Sequence, residues 1–125
     1  MAVEQREKRE FVEEIYMAKH EFGIMKTAPM PNKRYDAYEP EKYNCISVCD
    51  DLIEPLLDRL SVVDCYWHSL EQAEKGLAYC GITLIPPSSM EQIVSLLEGN
   101  AGIDELKALL IKAKAADKFV IHFGI

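Results

Sequence analysis

The fold is organised by one stretch of sequence near the end of the chain, Lys118-Phe119-Val120-Ile121-His122-Phe123. After the lysine it is apolar on both faces of an extended backbone except at His122, which is typical of a central strand. Because side chains alternate along a strand, we expect Phe119, Ile121 and Phe123 to be buried together. Val120 and His122 then face a second layer. The stretch therefore predicts a sheet that is covered on both faces at its centre.

Two other stretches have the pattern of strands. Residues 43–49 alternate in polarity, and Ile82–Ile85 is an apolar run that Pro86 and Pro87 terminate. Capping residues and apolar periodicity predict helices between the strands. These helices begin near residues 51, 69, 88 and 103, and the second runs to about residue 80. We therefore predict an α+β fold, with α/β as the alternative, in which helices cover a small sheet of at least three short strands.

The N-terminal part of the chain differs from the rest. Residues 3–22 predict a long amphipathic helix, because large apolar side chains recur at helical spacing and Gly23 follows as a stop. Residues 23–42, which we call the strap, contain three prolines and two tyrosines without a sustained period. Such a segment in a small domain is typical of a functional loop or a linker. We predict one domain, made of this helix and strap (residues 1–42) and a compact body (residues 43–125).

The predicted N-terminal helix carries a stripe of large apolar side chains that includes Phe11, Ile15 and Phe22. A second copy of the chain would cover that stripe, and closed twofold dimers are the commonest assemblies of this kind. We therefore expect a homodimer through this helix. The alternative is that the strap returns the helix to its own body.

Charge and hydropathy exclude several classes of partner. The chain of 125 residues has 14 basic and 21 acidic side chains, a formal net charge of −7. An acidic protein repels phosphate backbones and anionic lipid headgroups, so neither nucleic acid nor membrane is expected as a partner. No apolar run approaches the roughly 18–20 residues that span a bilayer. The charged start of the chain does not fit a signal peptide, so we expect a cytoplasmic protein.

The four cysteines are Cys45, Cys49, Cys65 and Cys80. We expect free thiols, because nothing points to an oxidising compartment. A shared metal at Cys45 and Cys49 is not expected, since two residues four apart on a strand lie roughly 13 Å from each other. No glycine cluster or other cofactor motif is present, and we predict neither a metal nor a cofactor.

Three groups of residues are candidates for catalysis. Cys65 and His68 have the side chains of a thiolate–imidazolium pair, although a core thiol beside a half-buried histidine explains them as well. Asp50 and Asp51 follow a predicted strand, where carboxylates can bind a ligand or simply cap the next helix. His122 is either a base or a hydrogen-bonded core histidine.

Two functions are compatible with these observations. The first is a non-enzymatic protein-interaction or regulatory module, which the missing catalytic motifs favour. The alternative is a small enzyme or small-molecule-binding protein. Its pocket would lie near the strand ends, around Cys49, Asp50, Pro86 and His122.

Overall fold

A computed structural model describes residues 18–125 of the chain. Its centre is a sheet of six strands in the order β2-β1-β6-β5-β3-β4, and every neighbouring pair is antiparallel. The long central pairings join β1 to β6 and β6 to β5, so segments from both ends of the described chain lie side by side. The strands are β1 (Lys19–Ile24), β2 (Ile46–Cys49), β3 (Asp64–Trp67), β4 (Ala73–Lys75), β5 (Ile82–Ile85) and β6 (Val120–Phe123).

Helices cover one face of the sheet. The segment after β2 consists of two short helices, α1 (Asp50–Ile53) and α2 (Leu57–Leu60), joined by a 3-10 turn. Helices α3 (Pro87–Leu97) and α4 (Asp104–Ala115) follow β5 and precede β6 in the chain, and they pack against each other. Apolar side chains of these helices meet those of the strands in the larger core, which includes Phe22, Val48, Cys65, Ile85, Met90, Ile93, Leu97, Leu106, Leu110 and Val120.

The strap covers part of the opposite face. Tyr35 packs against a smaller core there, and its backbone N–H donates to the carbonyl of His68 over 2.6 Å. A short 3-10 helix, Pro40–Tyr43, then leads into β2. The smaller core contains the side chains of Met25, Ile82, Leu84, Ile121 and Phe123, with Phe119 packed against it.

The alternation predicted for the last strand is confirmed. Ile121 and Phe123 are buried on the face of the strap, with Phe119 beside them, whereas Val120 belongs to the core under the helices. The prediction of strands at 82–85 and near 118–123 therefore matches β5 and β6.

The predicted fold class was wrong. The α/β alternative fails because no pair of strands in the described chain is parallel. The end of the predicted N-terminal helix is also wrong, since Lys19–Ile24 forms strand β1 between β2 and β6. Side chains that recur every four residues also lie on one face of a strand, and pairing on both edges favours the strand here. The rest of that helix, with Phe11 and Ile15, lies outside the described residues.

A second correction concerns residues 69–80, for which a helix was predicted. They form turns and the short strand β4, whose three residues are all exposed. Gly76 has φ +78°, a left-handed conformation that ends the strand and that glycine adopts at little cost. Within residues 18–125 no helix has the length and apolar character needed to cross a membrane.

Candidate functional site

Two buried histidines lie side by side in the centre of the sheet. His20 on β1 and His122 on β6 face the helices, and both are 0% exposed. Nδ1 of His20 is 2.8 Å from Nε2 of His122. On its other side, Nε2 of His20 is 2.8 Å from a carboxylate oxygen of Asp50, the first residue of α1. The antiparallel pairing of β1 with β6 therefore links a histidine of the sheet to the start of a helix.

The chain of hydrogen bonds continues at both ends. Nδ1 of His122 is 3.0 Å from the hydroxyl of Thr83 on β5, which also accepts a hydrogen bond from the backbone N–H of Ala78. At the other end, the hydroxyl of Tyr79 donates to the second carboxylate oxygen of Asp50 over 2.8 Å. We call this group, Thr83, His122, His20, Asp50 and Tyr79, the buried relay.

One assignment of protons satisfies every member of the buried relay. Thr83 donates its hydroxyl proton to Nδ1 of His122, and His122 donates from Nε2 to His20. His20 then donates from Nε2 to the Asp50 carboxylate. Both imidazoles are neutral in this arrangement. The neutral form of His122 agrees with its environment, because burial lowers the pKa of its imidazole well below the usual value, and a charge on the neighbouring His20 would lower that pKa further.

The surface end of the relay is also protonated. The hydrogen bond to Asp50 raises the pKa of the Tyr79 hydroxyl to about 12, with burial and the charge of Asp50 as further causes. Tyr79 therefore stays a donor at neutral pH. Neither histidine reaches the surface. The relay joins β1, β5, β6 and α1 in one polar network.

A cleft of about 450 Å³ opens on the opposite face of the sheet, at the same end as the relay. Its floor is apolar and belongs to the smaller core, with Ile82 from β5 and Phe123 from β6. Polar side chains stand around that floor. They come from β1, the strap, the end of β3 and the loop before β5, and they are Lys19, Glu21, Asp36, Tyr38, His68 and Cys80.

Glu21 is the most buried polar group of the cleft, with 8% of the residue exposed. The hydroxyl of Tyr38 donates to its Oε1 atom. This hydrogen bond raises the pKa of Tyr38 to about 12, with burial and the charge of Glu21 as further causes. Within residues 18–125 the hydrogen bonds of this carboxylate include none to Oε2, and no fully buried side-chain oxygen there lacks a partner, so Oε2 is open to the cleft. The carboxylate is thus half satisfied by protein and faces the cleft.

His68 stands at another wall of the cleft, just after β3. Its Nδ1 atom is 2.9 Å from a carboxylate oxygen of Asp36 and 3.0 Å from the carbonyl of Tyr35. The histidine has φ +64°, so the chain turns sharply there. Nε2 lies against Gly81, where an added Cβ would be 2.8 Å away. Asp36 and His68 therefore form an oriented pair within the cleft.

The structure separates the first candidate pair. Cys65 is buried under the helices, where burial raises its pKa to about 12, whereas His68 lines the cleft on the other face. Its burial and its separation from His68 are those of a core thiol. Cys80, to which the sequence assigned no role, is the cysteine that shares the cleft with His68.

Of the other candidates, Asp50 and His122 are brought together, whereas Asp51 is not. Asp50 and His122 both belong to the buried relay, linked through His20, which the sequence placed on a helix. Asp51 is exposed on α1 and has no side-chain hydrogen bond within the described part of the chain. Residues 18–125 contain no cluster of His, Cys, Asp or Glu side chains that could hold a metal ion.

The pocket expected around Cys49, Asp50, Pro86 and His122 is not where the cleft lies. None of these four residues lines it. Pro86 follows Ile85, which pairs with Val120, so it stands at the far end of β5 from the relay.

The residues that sequence reasoning missed are Glu21, Tyr38 and Cys80 in the cleft, and His20, Thr83 and Tyr79 in the relay. Most lie in the segments whose secondary structure was mispredicted or irregular. Comparisons of the chain with models of protein families, with curated proteins and with solved structures find no match.

Proposed function

We propose that this protein binds a small organic molecule in the cleft on the strap side of the sheet. The observation that carries the proposal is the composition of the cleft, a 450 Å³ space with an apolar floor and a few convergent polar groups. This combination is typical of small-molecule sites. Glu21 adds a carboxylate that is nine-tenths buried and has one described donor, Tyr38.

Two other spaces support the proposal less well. A groove of about 310 Å³ between α3 and α4 is lined by residues such as Val94 and Ile111, and its charged pair, Glu91 and Lys114, is mutually satisfied. A space of about 340 Å³ beside β3 and β4 is bordered by the paired Asp64 and Lys75. Neither is lined by a carboxylate as buried as Glu21.

The proposal concerns ligand binding alone and makes no claim about catalysis. It puts the cleft in place of the pocket expected around Cys49, Asp50, Pro86 and His122. A non-enzymatic interaction module stays a prediction. A dimer that uses Phe22 is not part of the proposal, because Phe22 is buried in the core of its own sheet. All four cysteines are free thiols, which supports a reducing compartment such as the cytoplasm as the place of action.

The test is a fragment screen followed by amide chemical-shift mapping on ¹⁵N-labelled protein. We expect hits whose shifts concentrate on cleft residues such as Lys19, Gly81 and Phe123. A Cys80→Trp variant, which places an indole in the cleft, should lose these hits, whereas the matched Cys80→Ser variant should keep them. Hits that map only to the α3–α4 groove, or that survive in Cys80→Trp, would overturn the proposal.

A further inference from the structure

We propose that the ligand is a small organic cation, whose ammonium or guanidinium group donates to Glu21 while its apolar body lies on Ile82 and Phe123. The inference rests on the proposed function, because it names the ligand class of the same cleft. Three features of the cleft support it: the buried carboxylate of Glu21, the aromatic rings beside that carboxylate, and the charged side chains around the cleft.

Glu21 is a buried carboxylate that lines the cleft. It lies on β1, between β2 and β6, and is 8% exposed. A buried carboxylate costs free energy unless charge-assisted hydrogen bonds compensate for lost water. Within residues 18–125, Glu21 has one such donor, the neutral hydroxyl of Tyr38 on the strap. A cationic N–H group in the cleft would add a second donor and the opposite charge together.

The rings beside Glu21 favour the same ligand class. The ring of Tyr38 meets the ring of Phe123 edge to face, with centroids 5.5 Å apart. Both residues line the cleft. A cation within about 6 Å of an aromatic face is attracted by its quadrupole. A ligand with an apolar body and one cationic group would therefore fit the cleft, because its body would contact the apolar floor while its cationic group contacts the carboxylate of Glu21.

The charges around the cleft do not favour an anion. An anion near Ile82 and Phe123 would meet the carboxylate of Glu21. His68 is held by Asp36 at 2.9 Å, so its charge is compensated when it is protonated. Lys19 precedes Glu21 by two residues on the same face of β1, but its side chain is exposed at the mouth. The formal net charge of −7 further attracts cations from a distance.

The charge of Glu21 is also one cause of a raised thiol pKa. The thiol of Cys45 packs against the smaller core, and its pKa is raised to about 12 by burial first and then by the charges of Glu21 and Glu41.

The experiment uses three compounds with one aromatic body and different heads. 2-Phenylethylamine is cationic at pH 7, 2-phenylethanol is neutral, and 3-phenylpropionate is anionic. Each is titrated into the full chain and followed by amide shifts of cleft residues. We expect the dissociation constant of the amine to be about 10- to 100-fold lower than that of the alcohol. This is the change in affinity that one hydrogen bond to a charged group produces in a buried site. The carboxylate should bind more weakly than the alcohol.

Variants separate Glu21 from the general charge of the protein. Glu21→Gln keeps the shape and should remove the preference for the amine, whereas Asp36→Asn, which neutralises another carboxylate of the same cleft, should change the affinity less than threefold. Tyr38→Phe keeps the ring and should retain binding. If Glu21→Gln fails to fold, the order of the three compounds on the unmodified chain still decides the question.

The two proposals fail in different ways. An amine that binds in the cleft no more tightly than the alcohol, or a preference that persists in Glu21→Gln, overturns the cation inference and leaves small-molecule binding intact. The absence of cleft shifts with all three compounds and with the fragment library overturns both.

Discussion

Nδ1 of His20 and Nε2 of His122 approach to 2.8 Å across neighbouring strands, although 102 residues separate the two histidines in the chain. Both rings are fully buried, and each is hydrogen-bonded at both of its nitrogens. A polar pair in the middle of a sheet of this size is stable only when every donor has an acceptor. The relay therefore makes β1, β6, β5 and α1 depend on one another.

The first prediction concerns this mutual dependence. His20→Leu leaves Nε2–H of His122 and a carboxylate oxygen of Asp50 without partners, so it should lower the free energy of unfolding by about 2–4 kcal/mol. His122→Leu should cost a similar amount. The double variant should cost less than the sum by about 0.5–3 kcal/mol, because the second change removes a group that the first has already orphaned. Urea denaturation of the four proteins checks the cycle, and strict additivity would show that the two rings do not interact.

The second prediction concerns acid. Burial keeps His122 neutral in the folded protein, while an unfolded chain protonates it near pH 6.5. Below that pH the unfolded state binds more protons, so stability is present above about pH 6.5 and is lost as pH falls. One such group contributes up to about 1.4 kcal/mol per pH unit.

Urea denaturation of the unmodified chain and of His122→Gln at pH 7.5, 6.5 and 5.5 isolates this contribution from other carboxylates and histidines. The advantage of the unmodified chain over the variant should shrink below pH 6.5. An advantage that is the same at all three values would mean that His122 does not titrate differently in the two states.

The strands that could be predicted are those with a strong local sequence pattern. Ile82–Ile85 and Val120–Phe123 are continuous apolar runs, so their strands and buried faces could be predicted. β4 could not be predicted, because its three residues are exposed and only the pairing with β3 makes it a strand. β1 was mistaken for helix because Phe22 satisfies both the spacing of four residues and the alternation of a strand.

The candidate site could be predicted only in part, because contacts between distant segments assemble it. His122 and Asp50 were singled out separately, but only the antiparallel pairing of β1 with β6 brings His20 between them. The cleft depends on how the irregular strap crosses the sheet, which places Tyr38 next to Glu21. No periodic pattern encodes that crossing, so the cleft residues on the strap were not predictable.

The third prediction concerns the thiols. At pH 8 a thiol whose pKa is about 12 is ionised in roughly one molecule in ten thousand. Burial raises the pKa of Cys45 and Cys65 to that value, while Cys80 is exposed. Brief iodoacetamide treatment of the folded chain should therefore modify Cys80 first and spare Cys45 and Cys65. Peptide mass spectrometry locates the label, and a urea-unfolded sample is the control in which all four cysteines react. Labelling of Cys65 before Cys80 would contradict the structure.

The last prediction compares two glycines near loops. Gly124 follows β6 and lies against the loop before β5, where its N–H donates to the carbonyl of Gly81 over 2.7 Å. A Cβ at this position would overlap the backbone oxygen of Tyr79 and lie 2.7 Å from that of Ala78. Because both obstacles are backbone atoms, Gly124→Ala should lower the free energy of unfolding by about 3 kcal/mol, the upper end of the usual cost of overpacking.

Gly99 is the matched control, since it has φ +82° but no atom within 4 Å of an added Cβ. Gly99→Ala should cost only the strain of a left-handed alanine, about 1 kcal/mol. Urea denaturation of both variants measures the two costs under one set of conditions. The larger loss at Gly124 should be accompanied by shifts in the amide signals of Tyr79 and Asp50, because the displaced loop carries the Tyr79 hydroxyl that donates to Asp50. Equal costs at the two glycines, or a loss at Gly124 that leaves those signals unchanged, would show that the loop does not hold the surface end of the relay.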